Sequence, residues 1–327
     1  MKRDISLAVV GATGLVGRTM LRVLEEREIP IRHLSLFASA RSKGHLLSFQ
    51  GREHEIQELG DGSLKVDYAL FALRKSLASE WVPRFREAGT VVIDNSSYFR
   101  MKADVPLVVP EANANELRHH QGLIANPNCT AAIACVALAP LHKAFHLSRL
   151  VISTYQSVSG TGQKALEELD GQIANPDLPP SVYPHSIAFN LFPQIGDFDA
   201  EGFCFEERKI AEEIPKILSA PGLLVHVTTV RVPVRVGHSV SIFAEFEKEI
   251  SLAEAYEHLR NAQGLVIMGG QDYVTPLDCA GRDEVFVGRL RWNPRQPKAL
   301  QLWVVGDNLR KGAATNAVQI LERLIEE

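Results

Sequence analysis

Four residues of this chain have the types and positions that nucleophilic catalysis uses. Cys129 stands in Asn126-Pro127-Asn128-Cys129-Thr130, directly before the apolar run Ala131 to Leu141. That run predicts a helix stopping near Pro140, and Pro127 and Thr130 fit its start. A thiol at a helix N-terminus faces unpaired backbone N–H groups and the positive end of the helix dipole. Both favour the thiolate, the form that attacks carbonyl carbon. The competing reading is a buried inert cysteine, which suits Cys135 in the same run. A cysteine nucleophile needs a base. His238 is preferred to His185 and His226 because Gly237 precedes it and Ser239 follows it. Arg231, seven residues earlier, would face the other side of one continuous strand unless Gly237 marks a bulge or a strand end. Gln156 closes another apolar run, before Ser157-Val-Ser159-Gly160-Thr-Gly162, a loop able to approach a ligand closely.

A second constellation lies near the N-terminus. Gly11-Ala-Thr13-Gly14-Leu15-Val16-Gly17 follows the apolar run Ile5 to Val10 and opens the amphipathic stretch Arg18 to Glu26. In that setting Gly11 permits the tight turn. Gly14 lets backbone approach a pyrophosphate, and Gly17 allows close helix–strand packing. The spacing is Gly-x-x-Gly-x-x-Gly rather than Gly-x-Gly-x-x-Gly. The second strand, His33 to Phe37, leads into Ala38-Ser39-Ala40-Arg41-Ser42-Lys43, with no Asp or Glu to hold ribose hydroxyls. Arg41 with Ser39 or Ser42 is a cradle for a 2′-phosphate, so the expected cofactor is NADP rather than NAD.

These residues need two kinds of scaffold. Asp67 to Leu73 and Thr90 to Ile93 read as buried strands around a helix near Ala78 to Ala88, and Leu107-Val-Val and Gly122-Leu-Ile-Ala continue the pattern. Strand and helix in alternation predict an α/β, Rossmann-type doubly wound parallel sheet. Beyond about residue 145 the runs Leu150–Tyr155, Val225–Val234, Ser239–Phe246, Phe286–Trp292 and Leu300–Val305 alternate more strongly. They predict a second α+β domain with a mixed sheet. Ala313 to Glu327 reads as an amphipathic helix. The 327 residues suffice for two domains, and a net charge of −4 gives no reason to expect nucleic acid or an anionic membrane. Four cysteines in no metal-ligand spacing point away from a metal and a disulfide framework, and towards a reducing cytoplasm. The start, Met1-Lys-Arg-Asp4, reads as the lead into a strand rather than a signal peptide, because Asp4 interrupts the basic region.

Taken together, the motifs resemble the aspartate-semialdehyde dehydrogenase family. They are the glycine loop, Ala38 to Ser42, Asp94-Asn-Ser-Ser-Tyr-Phe-Arg100, Asn126 to Thr130, Ser153 to Gly160, Ile187-Ala-Phe-Asn190, Arg231 to Val234 with Gly237-His238-Ser239, and Trp303 to Ala314. They run in family order across nearly the whole chain. The resemblance implies a catalytic Cys129 thioester, His238 as acid–base group and Gln156 orienting the substrate. It implies Arg231, Glu206 and Asn128 on the substrate, and Arg100 and Lys209 on phosphate. Thr13, Gly14, Leu15, Val16, Arg41, Ser42, Ser159, Gly160 and Asn308 would contact NADP, beside Gly11 and Ser39. The implied reaction reduces L-4-aspartyl phosphate to L-aspartate 4-semialdehyde, on the way to lysine, threonine and methionine. The implied layout is an NADP-binding domain of residues 1–129 and 308–327, and a catalytic and dimerisation domain of residues 130–307. A homodimer, or a dimer of such dimers, follows from the resemblance alone.

Three departures stand out. Ala72-Leu73-Arg74 replaces a small Ser-Ala-Gly-like turn, where bulk would alter the approach of the cofactor. Thr130-Ala131 replaces a Ser/Thr pair, and the segment between Ser159 and Ile187 is short, which would change the dimer surface. The alternatives are a catalytically silent family paralogue with a binding or regulatory role, and a related acyl-CoA or acyl-phosphate reductase.

Overall fold

The computed structural model describes residues 4–60 and 64–326; the expectations for Met1–Arg3 and Glu327 lie outside them. The chain forms two units. One runs to Asn128 and resumes at Ala313, and the other spans Cys129–Gly312.

The first unit holds β1 (Ile5–Val10), β2 (Ile31–Ala38), β3 (Leu46–Phe49), β4 (Arg52–Glu58), β5 (Tyr68–Phe71), β6 (Val91–Asp94) and β7 (Leu123–Ala125). Its helices are α1 (Leu15–Glu26), α2 (Lys75–Glu87) and the short α3 (Pro110–Asn113). The sheet order is β3-β4-β2-β1-β5-β6-β7, parallel except for the β3–β4 hairpin. β1 and β5 are apolar runs buried on both faces, as helix-covered parallel strands must be. On one face Phe85 of α2 meets Phe71 edge-on at 5.0 Å between ring centroids. The order places the ends of β1, β2 and β5 side by side, with the glycine loop at the centre.

The second unit holds α4 (Cys129–Phe145), α5 (Gln163–Ala174), α6 (Phe205–Ile217), α7 (Leu252–Arg260) and α8 (Pro276–Cys279). Its strands are β8 (Leu147–Gln156), β9 (Leu224–Arg231), β10 (His238–Phe246), β11 (Leu265–Ile267), β12 (Val285–Trp292) and β13 (Ala299–Gly306). They form a mixed sheet in the order β11-β12-β13-β10-β8-β9. The last helix, α9 (Thr315–Glu326), belongs to the first unit, where Ile320 and Leu321 join the core with Met20 and Leu24 of α1.

Two local expectations are corrected, and one left open is decided. The helix opened by Cys129 does not stop at Pro140 but runs to Phe145. Proline removes one N–H and costs about 3 kcal/mol inside a helix. Leu141 and Phe145 beyond it are buried, and each such side chain returns roughly 1.5–3 kcal/mol. Leu107-Val-Val is not a strand; only Leu107 bridges, to Ala125. Arg231 and His238 do not share a strand, because the turn between β9 and β10 passes through Gly237 at φ +96°.

Candidate active site

The second sheet gathers its polar residues at one end. β8 and β9 are parallel, and their last residues, Gln156 and Arg231, are register partners. β10 runs antiparallel, so its first residue, His238, lies at the same end, opposite the last residue of β13, Gly306. Cys129 is the first residue of α4, which packs on β8, β10 and β13. This arrangement brings Cys129 Sγ within 3.3 Å of His238 Nε2. Gly312 passes directly beside the cysteine: a Cβ there would lie 2.8 Å from Cys129 Cβ. Cys129 is only half-buried, whereas His238 is completely buried. Burial, and then the positive charge of Arg231, push the imidazole down to about 3, against the opposing pull of Glu206 and the Gly237 backbone. At neutral pH the partner of the sulfur is therefore neutral imidazole.

Gln156 is held by groups of its own unit. Its Oε1 accepts from Thr154 Oγ1 at 3.0 Å, and its Nε2 donates to Glu206 Oε1 at 3.0 Å. Glu206, near the start of α6, is buried and also meets Lys209 Nζ at 3.2 Å, one turn along the helix. Arg231 is 3% exposed. Its Nη1 donates to the carbonyls of Gln156 and Ser157, and its Nε is buried with no hydrogen-bond partner. A buried donor without a partner costs about 1–3 kcal/mol. The guanidinium is thus only partly satisfied by the protein, as a carboxylate-binding arginine would be. If the guanidinium binds a substrate carboxylate, Arg231→Leu is expected to raise the substrate KM by about 100-fold with a smaller change in kcat, measured by steady-state kinetics, since a charge-assisted pair is worth roughly 1.5–3 kcal/mol.

Ser159, Gly160 and Asn308, expected on the cofactor, also belong to this unit. Ser159 and Asn308 are buried, and their side chains bond to each other at 2.9 Å. Gly160 leaves space beside His238 and Arg231: a Cβ there would lie 3.5 Å from Arg231 Nη1 and 3.6 Å from His238 Nε2.

In the first unit the glycine loop behaves as its spacing suggests. Gly11 has φ +91°, and a Cβ on it would lie 2.5 Å from Ala72 O; a Cβ on Gly17 would lie 2.2 Å from Gly11 O. Gly14 caps α1 without any side-chain hydrogen bond, and the first turn, with Leu15 and Val16, carries no acid. The start of α1 is therefore left open to an anion. Thr13 O accepts from Arg18 Nε at 3.0 Å. Ser39, Arg41 and Ser42 form a short 3-10 turn after β2; Arg41 is exposed and has no ion pair among the described residues. These residues fit a cofactor carrying a pyrophosphate and a further phosphate. In the departure after β5, the contact with the glycine loop is made by the Ala72 backbone beside Gly11; Arg74 is exposed at the N-cap of α2. Arg100 is buried and committed in part to the chain itself, with Nε donating to Asn126 O at 2.9 Å and Nη2 to Asn95 O at 2.7 Å. Asn128 is buried at the end of this unit.

Residues 6–120 match the family model described as semialdehyde dehydrogenase, NAD binding domain, and residues 138–311 match semialdehyde dehydrogenase, dimerisation domain. A protein of Aquifex aeolicus (strain VF5) named aspartate-semialdehyde dehydrogenase is 47% identical over 98% of both chains. The chain belongs to the aspartate-semialdehyde dehydrogenase family. A like-named protein of Bacillus subtilis (strain 168) is 41% identical, over 99% of this chain and 98% of its own. Among solved structures, aspartate semialdehyde dehydrogenase II from Vibrio cholerae superposes with a TM-score of 0.97 at 41% identity, covering 99% of each chain. A second structure of it, complexed with ASA, gives 0.97 at 40% identity, again covering 99% of each.

Sequence reasoning missed three residues of this member of the aspartate-semialdehyde dehydrogenase family. Thr154 sits two residues before Gln156 on one strand, hence on the same face, and that period of two was the available signal. Ser157 and Gly312 carried no such signal; their roles depend on contacts 81 and 183 residues away in sequence, to His238 and Cys129. Among the described residues, no helix is long and apolar enough to cross a membrane.

Proposed function

We propose that this chain is an NADP-dependent, phosphorylating aspartate-semialdehyde dehydrogenase that works through a Cys129 thioester. The carrying observation is the Cys129 sulfur at a helix N-terminus, 3.3 Å from a neutral histidine. The identity to relatives bearing that name supports the substrate class.

In the reductive direction, the Cys129 thiolate adds to the acyl carbon of aspartyl phosphate, and phosphate departs with the C–O bonding pair. A reduced nicotinamide cofactor, when bound, would supply the hydride that turns the thioester carbonyl into a tetrahedral alkoxide. Neutral His238 donates a hydrogen bond that stabilises the tetrahedral alkoxide, which collapses to the aldehyde as the C–S bond breaks and its electron pair returns to Cys129 as the thiolate. Arg231 holds the α-carboxylate, Glu206 the amino group, and Gln156 and Asn128 orient the acyl end. Lys209 and Arg100 are the cations for phosphate. Thr13 to Val16 hold the cofactor pyrophosphate, and Ser39, Arg41 and Ser42 its 2′-phosphate. The match to a dimerisation-domain model supports a homodimer.

The test is reduction of NADP⁺ by purified protein with aspartate semialdehyde, with and without inorganic phosphate. Phosphate-dependent turnover is expected; turnover with coenzyme A but not phosphate would replace the reading with an acyl-CoA reductase. Arg41→Ala should raise the Kd for NADP⁺ at least about tenfold, with NAD⁺ affinity unchanged, because only one of them carries the phosphate. Equal losses would remove Arg41 from the cradle.

A further inference from the structure

His238 is gripped from its far side by a cluster that the proposed chemistry does not use. The backbone N–H of Ser157 points at His238 Nδ1, 3.1 Å away. A backbone amide can only donate, so Nδ1 must be the unprotonated nitrogen and Nε2 carries the proton of the neutral ring. Ser157 Oγ also approaches Nδ1, at 3.2 Å. What holds Ser157 is Asn308, whose Oδ1 accepts from Ser157 Oγ at 3.0 Å, from Ser159 Oγ at 3.2 Å and from the Gly237 N–H at 2.9 Å. One carboxamide oxygen thus ties the residue before His238 to the residue that donates to its ring. Asn308 is 2% exposed.

We propose that Asn308 is a positioning residue which, through Ser157 and Gly237, fixes His238 as the Nε2-protonated tautomer with its proton directed at Cys129 Sγ. The inference rests on the thiol–imidazole reading and gives Asn308 a task in addition to the cofactor contact expected of it. The 3.5 Å approach of Gln156 Nε2 to His238 Nε2 then joins two donors and carries no hydrogen bond. The charged and titratable groups facing the ring are Cys129 on α4, Arg231 on β9 and Glu206 on α6. All three remain when Asn308 is replaced.

The experiment is ¹⁵N NMR of histidine-labelled full-length protein, which reads the tautomer without any need for turnover. The wild type should show a pyrrole-type Nε2 and a pyridine-type Nδ1. Asn308→Ala should give a mixed tautomer, with kcat lowered about tenfold or more, as for loss of a buried hydrogen-bond acceptor. The change of tautomer should be the same with and without saturating NADP⁺, as expected when the residue acts on the histidine itself. Asn308→Asp keeps the accepting oxygen and should retain the Nε2–H tautomer. A wild-type ring protonated at Nδ1 would overturn the proposal. So would an Asn308→Ala protein that keeps the wild-type tautomer and its kcat. Ser157→Ala gives the same readout if Asn308→Ala does not fold.

Discussion

Cys129→Ala is expected to abolish phosphate-dependent NADP⁺ reduction, lowering kcat by about 10,000-fold or more, as removal of a covalent nucleophile does. No other thiol can take over. Cys135, Cys204 and Cys279 are buried. Burial holds the Cys135 thiol far above its ordinary range and pushes Cys279 up to about 12, with Asp307 adding to the latter. Only Cys129 combines partial exposure, a helix N-terminus and a proton-bearing partner. Acid-quenched wild type incubated with aspartyl phosphate should show one added acyl mass on the peptide containing Cys129, and the alanine variant none. The cofactor should still bind the variant, because the glycine loop belongs to the other unit. A variant that kept its turnover, or an adduct on another residue, would sink the thioester assignment.

Much of this site was legible because its residues sit at the ends of strongly patterned elements. Cys129 precedes a continuous apolar helix, Gln156 closes an alternating strand, and the glycine loop follows a strand with no polar residue after Ser6. Less legible were elements whose pattern is not apolar. The hairpin of β3 and β4, Leu46–Phe49 and Arg52–Glu58, was not anticipated. It lies at the sheet edge, where β3 is only four residues long and β4 carries charged residues such as Glu53, Glu55 and Glu58, so little hydrophobic alternation marks either strand. Pro140 misled in the opposite sense: its local signal was correct, but burial of the following turn outweighed it. The pairing of Arg231 with Gln156 and of His238 with Gly306 is a matter of register. Register is set by sheet order, which one chain's periodicity does not encode.

His238→Asn is expected to lower kcat about 100- to 10,000-fold, the range for losing a general acid–base group, while NADP⁺ affinity stays near wild type. Its pH signature separates it from an ordinary surface histidine. A free histidine titrates near 6.5, but burial and the charge of Arg231 push His238 down to about 3. Between these values the unfolded chain binds a proton at this position and the folded protein does not. Stability from the neutral ring is therefore complete above the unfolded value and is lost as pH falls towards the folded one. Two consequences follow from the same shift. The His238 ring proton resonances should stay flat from neutral pH down through the range where free histidine titrates, so an acid limb of kcat/KM near 6.5 would belong to another group. The drop in Tm between about pH 7 and about pH 5 should also be smaller in His238→Asn than in wild type, since the variant has no proton to gain there on unfolding. A His238 that titrates near 6.5, or a variant with an unchanged pH dependence of Tm, would mean that the imidazole is not the buried neutral donor proposed to stabilise the tetrahedral alkoxide.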